Sequence, residues 1–100
     1  MANVLPKTFD ETQPQITIRS YGPSGVKVRA DAVGKDKLTG DMTVIDMKAS
    51  DTAPFSPNQT VGYPEVGQYG GVIVGKGKPP YVGGIELPPR PVRIIRKSGP

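Results

Sequence analysis

The chain has 100 residues, the size of a single small domain, and apolar types make up only 35% of them, so the core must be lean. The 13 Gly and 12 Pro residues exclude long helices and favour short strands joined by turns. A net charge of +4 is a weak indication of a polyanionic partner such as nucleic acid.

The sequence of the first half of the chain predicts an N-terminal segment followed by three strands. Thr8 and Glu11 have the spacing of a capping box, so one or two helical turns are expected within residues 1–14. Alternation of apolar and polar residues predicts strands over residues 15–21 and 26–33, with a turn at 22–25 between them. A polar turn at 34–41 precedes a third strand over 42–50. One face of the second strand should carry Val26, Val28, Ala30 and Ala32.

The second half predicts a short helix and further strands. Ser56 and Pro57 form a good helix start, and Gly62 and Pro64 should end that helix quickly. Strands are expected at residues 72–74 and 92–96, with loops between them and a loose tail from residue 97. The expected fold is therefore α+β, a small mixed sheet of about five strands with one or two short helices. Residues 1–100 should form one domain, whether complete or the C-terminal fragment of a longer chain.

Residue types that are missing from the chain exclude several kinds of chemistry. Without Cys there is no disulfide framework, thiolate zinc site or thiol nucleophile, and without His there is no Ser-His-Asp triad. Carboxylates, Lys, Tyr and hydroxyl groups remain, together with a hard cation such as Mg²⁺. No apolar run approaches the roughly 20 residues of a membrane-spanning helix, so no membrane partner is expected.

The second and third strands bring acidic residues together if they form an antiparallel hairpin. When Asp31 lies opposite Asp46, residue i faces residue 77 − i, and residues 36–41 form the loop. Directly opposed residues have Cβ atoms roughly 4.5–5.5 Å apart on the same face of the sheet. Lys48 shares the face of Asp46 because it is two residues further along the same strand. One side of the hairpin would then present two carboxylates and one ammonium group.

Two interpretations of this cluster are open. In the first, a divalent cation removes the repulsion between the carboxylates and holds a water, which Lys48 helps to orient or deprotonate for attack on a phosphate. In the second, Asp31 and Lys48 form a surface ion pair on a solvent-facing strand, worth under about 1 kcal/mol.

At these positions the sequence resembles the PD-(D/E)XK nuclease superfamily, whose fold is that of restriction endonucleases. The family pattern is an Asp on one strand, then an acidic residue, any residue and Lys on the next strand; Asp31 and Asp46-Met47-Lys48 match it. One branch carries Gln-x-x-x-Tyr on the following helix, which matches Gln59 and Tyr63. The resemblance covers about residues 26–78, roughly half the chain, and within it the sequence is similar to toxin domains of bacterial polymorphic toxins, including type VI secretion effectors.

The resemblance implies a role for each matching residue. Asp31 and Asp46 would hold Mg²⁺ or Mn²⁺, Lys48 would act on the attacking water, and Gln59 would support the site or touch the nucleic-acid backbone. The family often adds a metal-binding Glu from an N-terminal helix, for which Glu11 is the candidate. Tyr63 could equally be a core aromatic residue with its hydroxyl at the surface.

The resemblance also implies a biological setting. The chain would have a minimal restriction-endonuclease-like core and would be a Mg²⁺-dependent endonuclease that cleaves DNA, with RNA as the alternative substrate. As a toxin it would be a secreted effector domain that acts in the cytoplasm of a competing bacterium. Its producer would need a cognate immunity protein.

Basic residues accumulate towards the end of the chain, where residues 76–100 contain six Lys or Arg and one acid, Glu86. If they bind phosphates, binding should weaken steeply with salt. They could instead form a solvated strand face that protects a sheet edge. The residues assigned to nucleic-acid binding are Arg29, Lys76, Lys78, Arg93 and Arg96.

Two other functions remain alternatives to the nuclease. The chain could be a non-catalytic basic module that binds nucleic acid, or a protein-interaction β-domain of a larger secreted protein. Divalent metal separates the first alternative from the nuclease, because a binding module would shift DNA on a gel without cutting it, whether or not metal is present.

Overall fold

The computed structural model describes residues 8–48 and 54–96. The predicted α+β class is confirmed: one helix lies on a mixed sheet of six strands, and two further strands form a separate ribbon. The elements are strands β1 (Phe9–Ser20), β2 (Lys27–Asp36) and β3 (Met42–Lys48), helix α1 (Pro57–Tyr69), and strands β4 (Gly71–Ile73), β5 (Gly77–Lys78), β6 (Tyr81–Val82), β7 (Glu86–Leu87) and β8 (Arg93–Arg96).

The six strands of the main sheet lie in the order β7-β4-β1-β2-β3-β8, and β5 pairs with β6 in the ribbon. Strand β8 runs parallel to β3, and the other pairs are antiparallel. This arrangement places β3 between strands that come from opposite halves of the chain. The predicted third strand extended to residue 50, but residues 49–53 and the predicted tail from Lys97 lie outside the described residues.

From Phe9 onwards, strand β1 occupies the place of the helical turns that were expected within residues 1–14; residues 1–7 lie outside the described residues. It pairs with β2 from Phe9 onwards, and the register shifts between Asp10 and Gln13, where Glu11 has a φ of 50°. Burial of the Phe9 side chain, which is 2% exposed, anchors this end of the strand to the sheet. Sheet pairing therefore overrides the capping-box spacing, because a single local motif stabilises a helix by only about 1 kcal/mol.

The hairpin of β2 and β3 has the predicted register. Val33 lies opposite Val44 and Lys35 lies opposite Met42, so the two numbers of each pair sum to 77. The turn is closed by Asp36, whose backbone N–H donates to the carbonyl of Asp41 at 2.9 Å. Strand β2 is longer than predicted because it continues through Lys35 into that turn.

The predicted alternation along β2 is broken at Asp31. Val28 and Ala30 belong to the larger core cluster together with Val33, whereas Ala32 belongs to a smaller cluster with Phe9 and Ile45. Strict alternation would place Ala30 and Ala32 together. Counted from the turn, the last residue pair of the hairpin is Ala32 with Ile45, directly before Asp31.

Helix α1 begins as predicted but does not end as predicted. Ser56 caps it, Pro57 is its first residue, and it continues past Gly62 and Pro64 to Tyr69. The residues buried against the sheet are Gly62, Tyr63 and Val66, and this packing outweighs the cost of the internal Pro. The helix thereby holds its Gln59–Tyr63 face against β3.

The remaining strands are short. Strand β4 corresponds to the predicted strand at 72–74, and it pairs with β1 on one side and β7 on the other. Residues 75–91 were expected to be loops, but they contain β5, β6 and β7. In the described residues, no helix is long and apolar enough to cross a membrane.

Candidate active site

Asp46 lies in the middle of β3 and faces helix α1. Its side chain has no exposed surface, and the side chain of Lys48 is only 12% exposed. The Lys48 Nζ atom lies 3.0 Å from the Asp46 Oδ2 atom, so the two form a largely buried ion pair. Their spacing of two residues on one strand is what places both side chains on the same face.

Helix α1 supplies two polar side chains to this pair from consecutive turns. Tyr63 donates its hydroxyl proton to Asp46 Oδ1 at 2.9 Å, and Gln59 donates from Nε2 to the same oxygen at 3.3 Å. The Gln59 Oε1 atom accepts from Lys48 Nζ at 2.9 Å. Residues four apart on a helix share a face, which is why the Gln-x-x-x-Tyr spacing can reach one carboxylate.

The orientation of Gln59 is fixed by the helix cap. Its backbone N–H donates to Ser56 Oγ at 3.2 Å, and its Oε1 atom accepts from the Ser56 backbone N–H at 3.0 Å. This reciprocal capping box immobilises the amide before it contacts Asp46 and Lys48. One glutamine therefore stabilises the helix start and positions both charged groups of the pair.

Asp31 reaches the same place from β2. Its Oδ2 atom accepts from the backbone N–H of Met47 at 2.7 Å, just beyond the last residue pair of the β2–β3 ladder, Ala32 with Ile45. Its carboxyl group interacts directly with that of Asp46. Burial and the Asp46 charge raise the pKa of Asp31, and the bond from Met47 opposes them in part.

Tyr63 is held in its neutral form. Burial and the neighbouring Asp46 charge raise the pKa of its hydroxyl well above the ordinary value. The hydroxyl is thus a hydrogen-bond donor at any physiological pH. The same raised pKa disfavours Tyr63 as a general base.

The two carboxylates suit a hard divalent cation. The buried Asp46 Oδ2 atom receives no hydrogen bond, although Lys48 Nζ lies 3.0 Å away as a counter-charge. Two neighbouring carboxylates that repel each other are a donor set that Mg²⁺ or Mn²⁺ can use, with water completing the coordination. Within residues 8–48 and 54–96, no group of three or more acidic, His or Cys side chains is placed to hold a metal ion.

Glu11 is not brought to the two aspartates. It lies in β1, and its Oε1 atom pairs with Lys35 Nζ at 3.2 Å on the surface. The expected helix that would have carried it to the site is a strand, so its prediction as a metal ligand has no support in this geometry.

The predicted nucleic-acid contacts are spread over different surfaces. Arg96 Cζ lies 5.3 Å from the centroid of the Phe55 ring, which Lys48 Nζ approaches to 4.8 Å, so Arg96 is at the site. Arg93 Cζ lies 6.0 Å from the ring of Phe9, on the other face of the sheet.

Of the other three predicted contacts, Arg29 lines a pocket together with Gln59, whereas Lys76 and Lys78 lie at β5. Arg29 is exposed on β2, where it donates to Gln15 Oε1 at 2.6 Å. Lys76 is exposed just before β5, and Lys78 donates to the Pro14 carbonyl at 2.7 Å.

Sequence reasoning missed Phe55. Its ring packs edge-on against Tyr63 with centroids 6.0 Å apart, and it carries Lys48 and Arg96 on its faces. An aromatic residue directly before the cap Ser56 is the one signal that could have indicated it, because apolar residues often precede a helix cap.

Comparison with known proteins adds no family to this description. No protein-family model, curated protein or solved structure matches the chain.

Proposed function

We propose that this chain is a metal-dependent endonuclease that hydrolyses phosphodiester bonds, with DNA as the expected substrate. The observation that carries the proposal is the fully buried Asp46, whose carboxyl group interacts with a second carboxyl group, that of Asp31, beside the ammonium group of Lys48. A structural ion pair needs only one carboxylate; a second one beside it repels the first, and either a shared proton or a bound cation relieves that repulsion.

The roles of the residues follow from their chemistry. Asp31 and Asp46 would hold Mg²⁺ or Mn²⁺, which when bound supplies an acidified water and stabilises charge on a phosphate. Lys48 lies against Asp46 and can orient the attacking water or neutralise charge that develops on the phosphate. Gln59 keeps Lys48 in place through its Oε1 atom, so it is a positioning residue.

The resemblance to PD-(D/E)XK toxin nucleases supports the same proposal. Asp31, Asp46, Lys48 and Gln59 occur in the family order; the last three contact one another, and the Asp31 carboxyl interacts with that of Asp46. On that basis the chain is a toxin domain of a secreted effector that acts in the cytoplasm of a competing bacterium. A cognate immunity protein protects the producer, and it should be acidic where it meets basic residues.

A plasmid-nicking assay tests the activity. Purified protein should nick supercoiled DNA with Mg²⁺ or Mn²⁺ and should stop when EDTA is added. Asp46→Asn and Lys48→Met should each lower the rate by roughly 100-fold or more, as expected when a metal ligand or a charge-stabilising group is lost. Circular dichroism should show that both variants remain folded.

Lys35→Met is the matched control, because Lys35 also pairs with a carboxylate but lies on the surface beside Glu11. It should nick DNA at the wild-type rate. Intact plasmid under both metals, or full activity of Lys48→Met, would overturn the proposal. A DNA shift on a gel without cleavage would favour the non-catalytic binding module.

A further inference from the structure

An apolar cleft opens beside the acidic cluster, between helix α1 and the segment that ends in β8. Its volume is about 520 Å³, which lies in the range of pockets that take small organic ligands. Apolar walls are provided by Phe55, Pro64, Val92 and Ile94, and the amides of Gln59 and Gln68 lie among them. None of the described residues that line the cleft is charged.

The cleft is continuous with the candidate site. Gln59 and Tyr63 line it and also hydrogen-bond to Asp46 Oδ1, so an occupant would lie one side chain away from the carboxylate. Phe55 joins the cleft to two cations, because Lys48 Nζ and Arg96 Cζ lie 4.8 and 5.3 Å from its ring centroid. Under the proposed function the phosphate lies at the metal that Asp31 and Asp46 would hold, so the part of the substrate that enters the cleft is uncharged.

We propose that the cleft binds an unpaired nucleobase next to the phosphate that is cleaved, so that the substrate is single-stranded or locally unwound nucleic acid. This inference rests on the proposed function. A free base has a π-face that packs on aromatic and apolar walls, and its edge can bond to the amide of Gln68, since the amide of Gln59 is already engaged on both its oxygen and its nitrogen. In a duplex the same face is stacked and the same edge is paired.

Fluorescence anisotropy of a labelled short strand tests the inference. The strand is offered alone and annealed to its complement, once in EDTA and once in Ca²⁺. The wild-type protein should bind the single strand about tenfold more tightly than the duplex, because each base stacked on an aromatic side chain adds affinity on that scale.

Two substitutions at Gly67 provide a matched pair. Gly67 lines the cleft, and a Cβ atom there would meet Pro91 at 3.4 Å, which is ordinary contact. Gly67→Leu should fill the cleft and reduce single-strand affinity to the duplex level. Gly67→Ala should keep the preference, and thermal melts should show both variants folded.

A measurement on the wild-type protein does not depend on any variant. Thymidine monophosphate should raise the melting temperature, and deoxyribose 5-phosphate should not, since the sugar phosphate lacks the base. Equal shifts would overturn the base-binding cleft.

The two proposals fail separately. Duplex binding as tight as single-strand binding, or no binding of either, would overturn the cleft assignment. The nuclease proposal would then still be tested by the metal-dependent plasmid-nicking assay. A single-strand preference without metal-dependent cleavage would overturn the nuclease and keep the base-binding cleft.

Discussion

Asp46 is the residue on which the proposed site depends most. Its carboxylate is fully buried, and a buried charge is costly unless other groups compensate it. Gln59 and Tyr63 both donate to Oδ1, and Lys48 lies at 3.0 Å from Oδ2. The carboxylate is thus stabilised on both oxygens, by two hydrogen bonds at Oδ1 and by the Lys48 charge at Oδ2.

Replacing Tyr63 by Phe tests that stabilisation. The variant removes the shorter of the two hydrogen bonds to Oδ1, so the free energy of unfolding should fall by about 1–3 kcal/mol. Urea denaturation measures it. Tyr21→Phe is the control, since the Tyr21 hydroxyl donates to Glu86 on the exposed surface and its loss should change little. Equal effects of the two substitutions would contradict the buried role of Tyr63.

Replacing Asp31 by Asn should not lower the stability of the protein, in contrast to Tyr63→Phe. The raised pKa means that the fold disfavours the charged carboxyl, so at neutral pH and in EDTA the variant should melt at the wild-type temperature or higher. Asn can still accept the bond from the Met47 N–H. Added Mg²⁺ should raise the melting temperature of the wild type and not of Asp31→Asn. A metal-induced shift of the same size in both proteins would place the ion elsewhere.

At the scale of the elements, helix α1 is the part that completes the site. Its sequence is poor in helix formers, with two Gly residues and an internal Pro, so its stability depends on its cap and on packing. Gly62 packs against Val28 so closely that a Cβ atom there would collide with it. The absence of a side chain at this position is what lets Gln59 and Tyr63 approach β3.

Two glycines of this helix should respond differently to alanine. In an exposed helix, Gly→Ala stabilises by roughly 0.5–1 kcal/mol, and Gly67→Ala should show a gain of that kind. Gly62→Ala should instead lower the free energy of unfolding by about 1–3 kcal/mol, because the added methyl forces the helix away from Val28. Chemical denaturation of both variants checks this, and a stabilised Gly62→Ala would show that the helix can shift without cost.

Glu65 ties the same helix to the turn after β1. It accepts from the hydroxyls of Ser20 and Ser24 at 2.7 and 2.8 Å, and these bonds lower its pKa below the ordinary 4.5. The stabilisation is present above the pKa of the unfolded chain and is lost as the pH falls through the lower, folded value. The advantage in melting temperature of the wild type over Glu65→Gln should therefore shrink below about pH 4.5. A difference that is constant over this range would show that the charged form is not favoured.

At the scale of the whole molecule, the sheet order decides which charges work together. Strand β8 joins the sheet beside β3, with Arg96 opposite Lys48 and Arg93 opposite Ile45. Because residues three apart on a strand face opposite sides, the sheet separates the two arginines. Arg90 adds little positive charge to the surface, because its guanidinium forms ion pairs with Asp36 at 3.0 Å and Asp41 at 2.8 Å.

Arg96→Ala and Arg93→Ala should therefore differ in their effect on nucleic-acid binding. Loss of Arg96, beside Phe55 and Lys48, should weaken binding several-fold and reduce its dependence on salt by about one phosphate contact. Loss of Arg93, which lies over Phe9, should have little effect. Anisotropy titrations at several salt concentrations give both quantities, and equal losses would contradict the assignment of one face to binding.

Local patterns were reliable where pairing partners are close in the sequence. The hairpin register follows from the alternation in β2 and β3 and from the loop between them, and the start of α1 follows from Ser56 and Pro57. These features depend on turn and cap chemistry within a few residues. For the same reason, the sequence alone was enough to recognise the motif of Asp31, Asp46, Lys48 and Gln59.

What the sequence determined by itself is a small α+β domain with a two-carboxylate hairpin, because alternation and capping act locally. Only the tertiary structure decided that β1 replaces a helical turn at Glu11, that α1 continues past Pro64, and that Phe55 and Arg96 adjoin Lys48. Each of these outcomes depends on burial between segments distant in the chain, and that burial outweighs local preferences of about 1 kcal/mol.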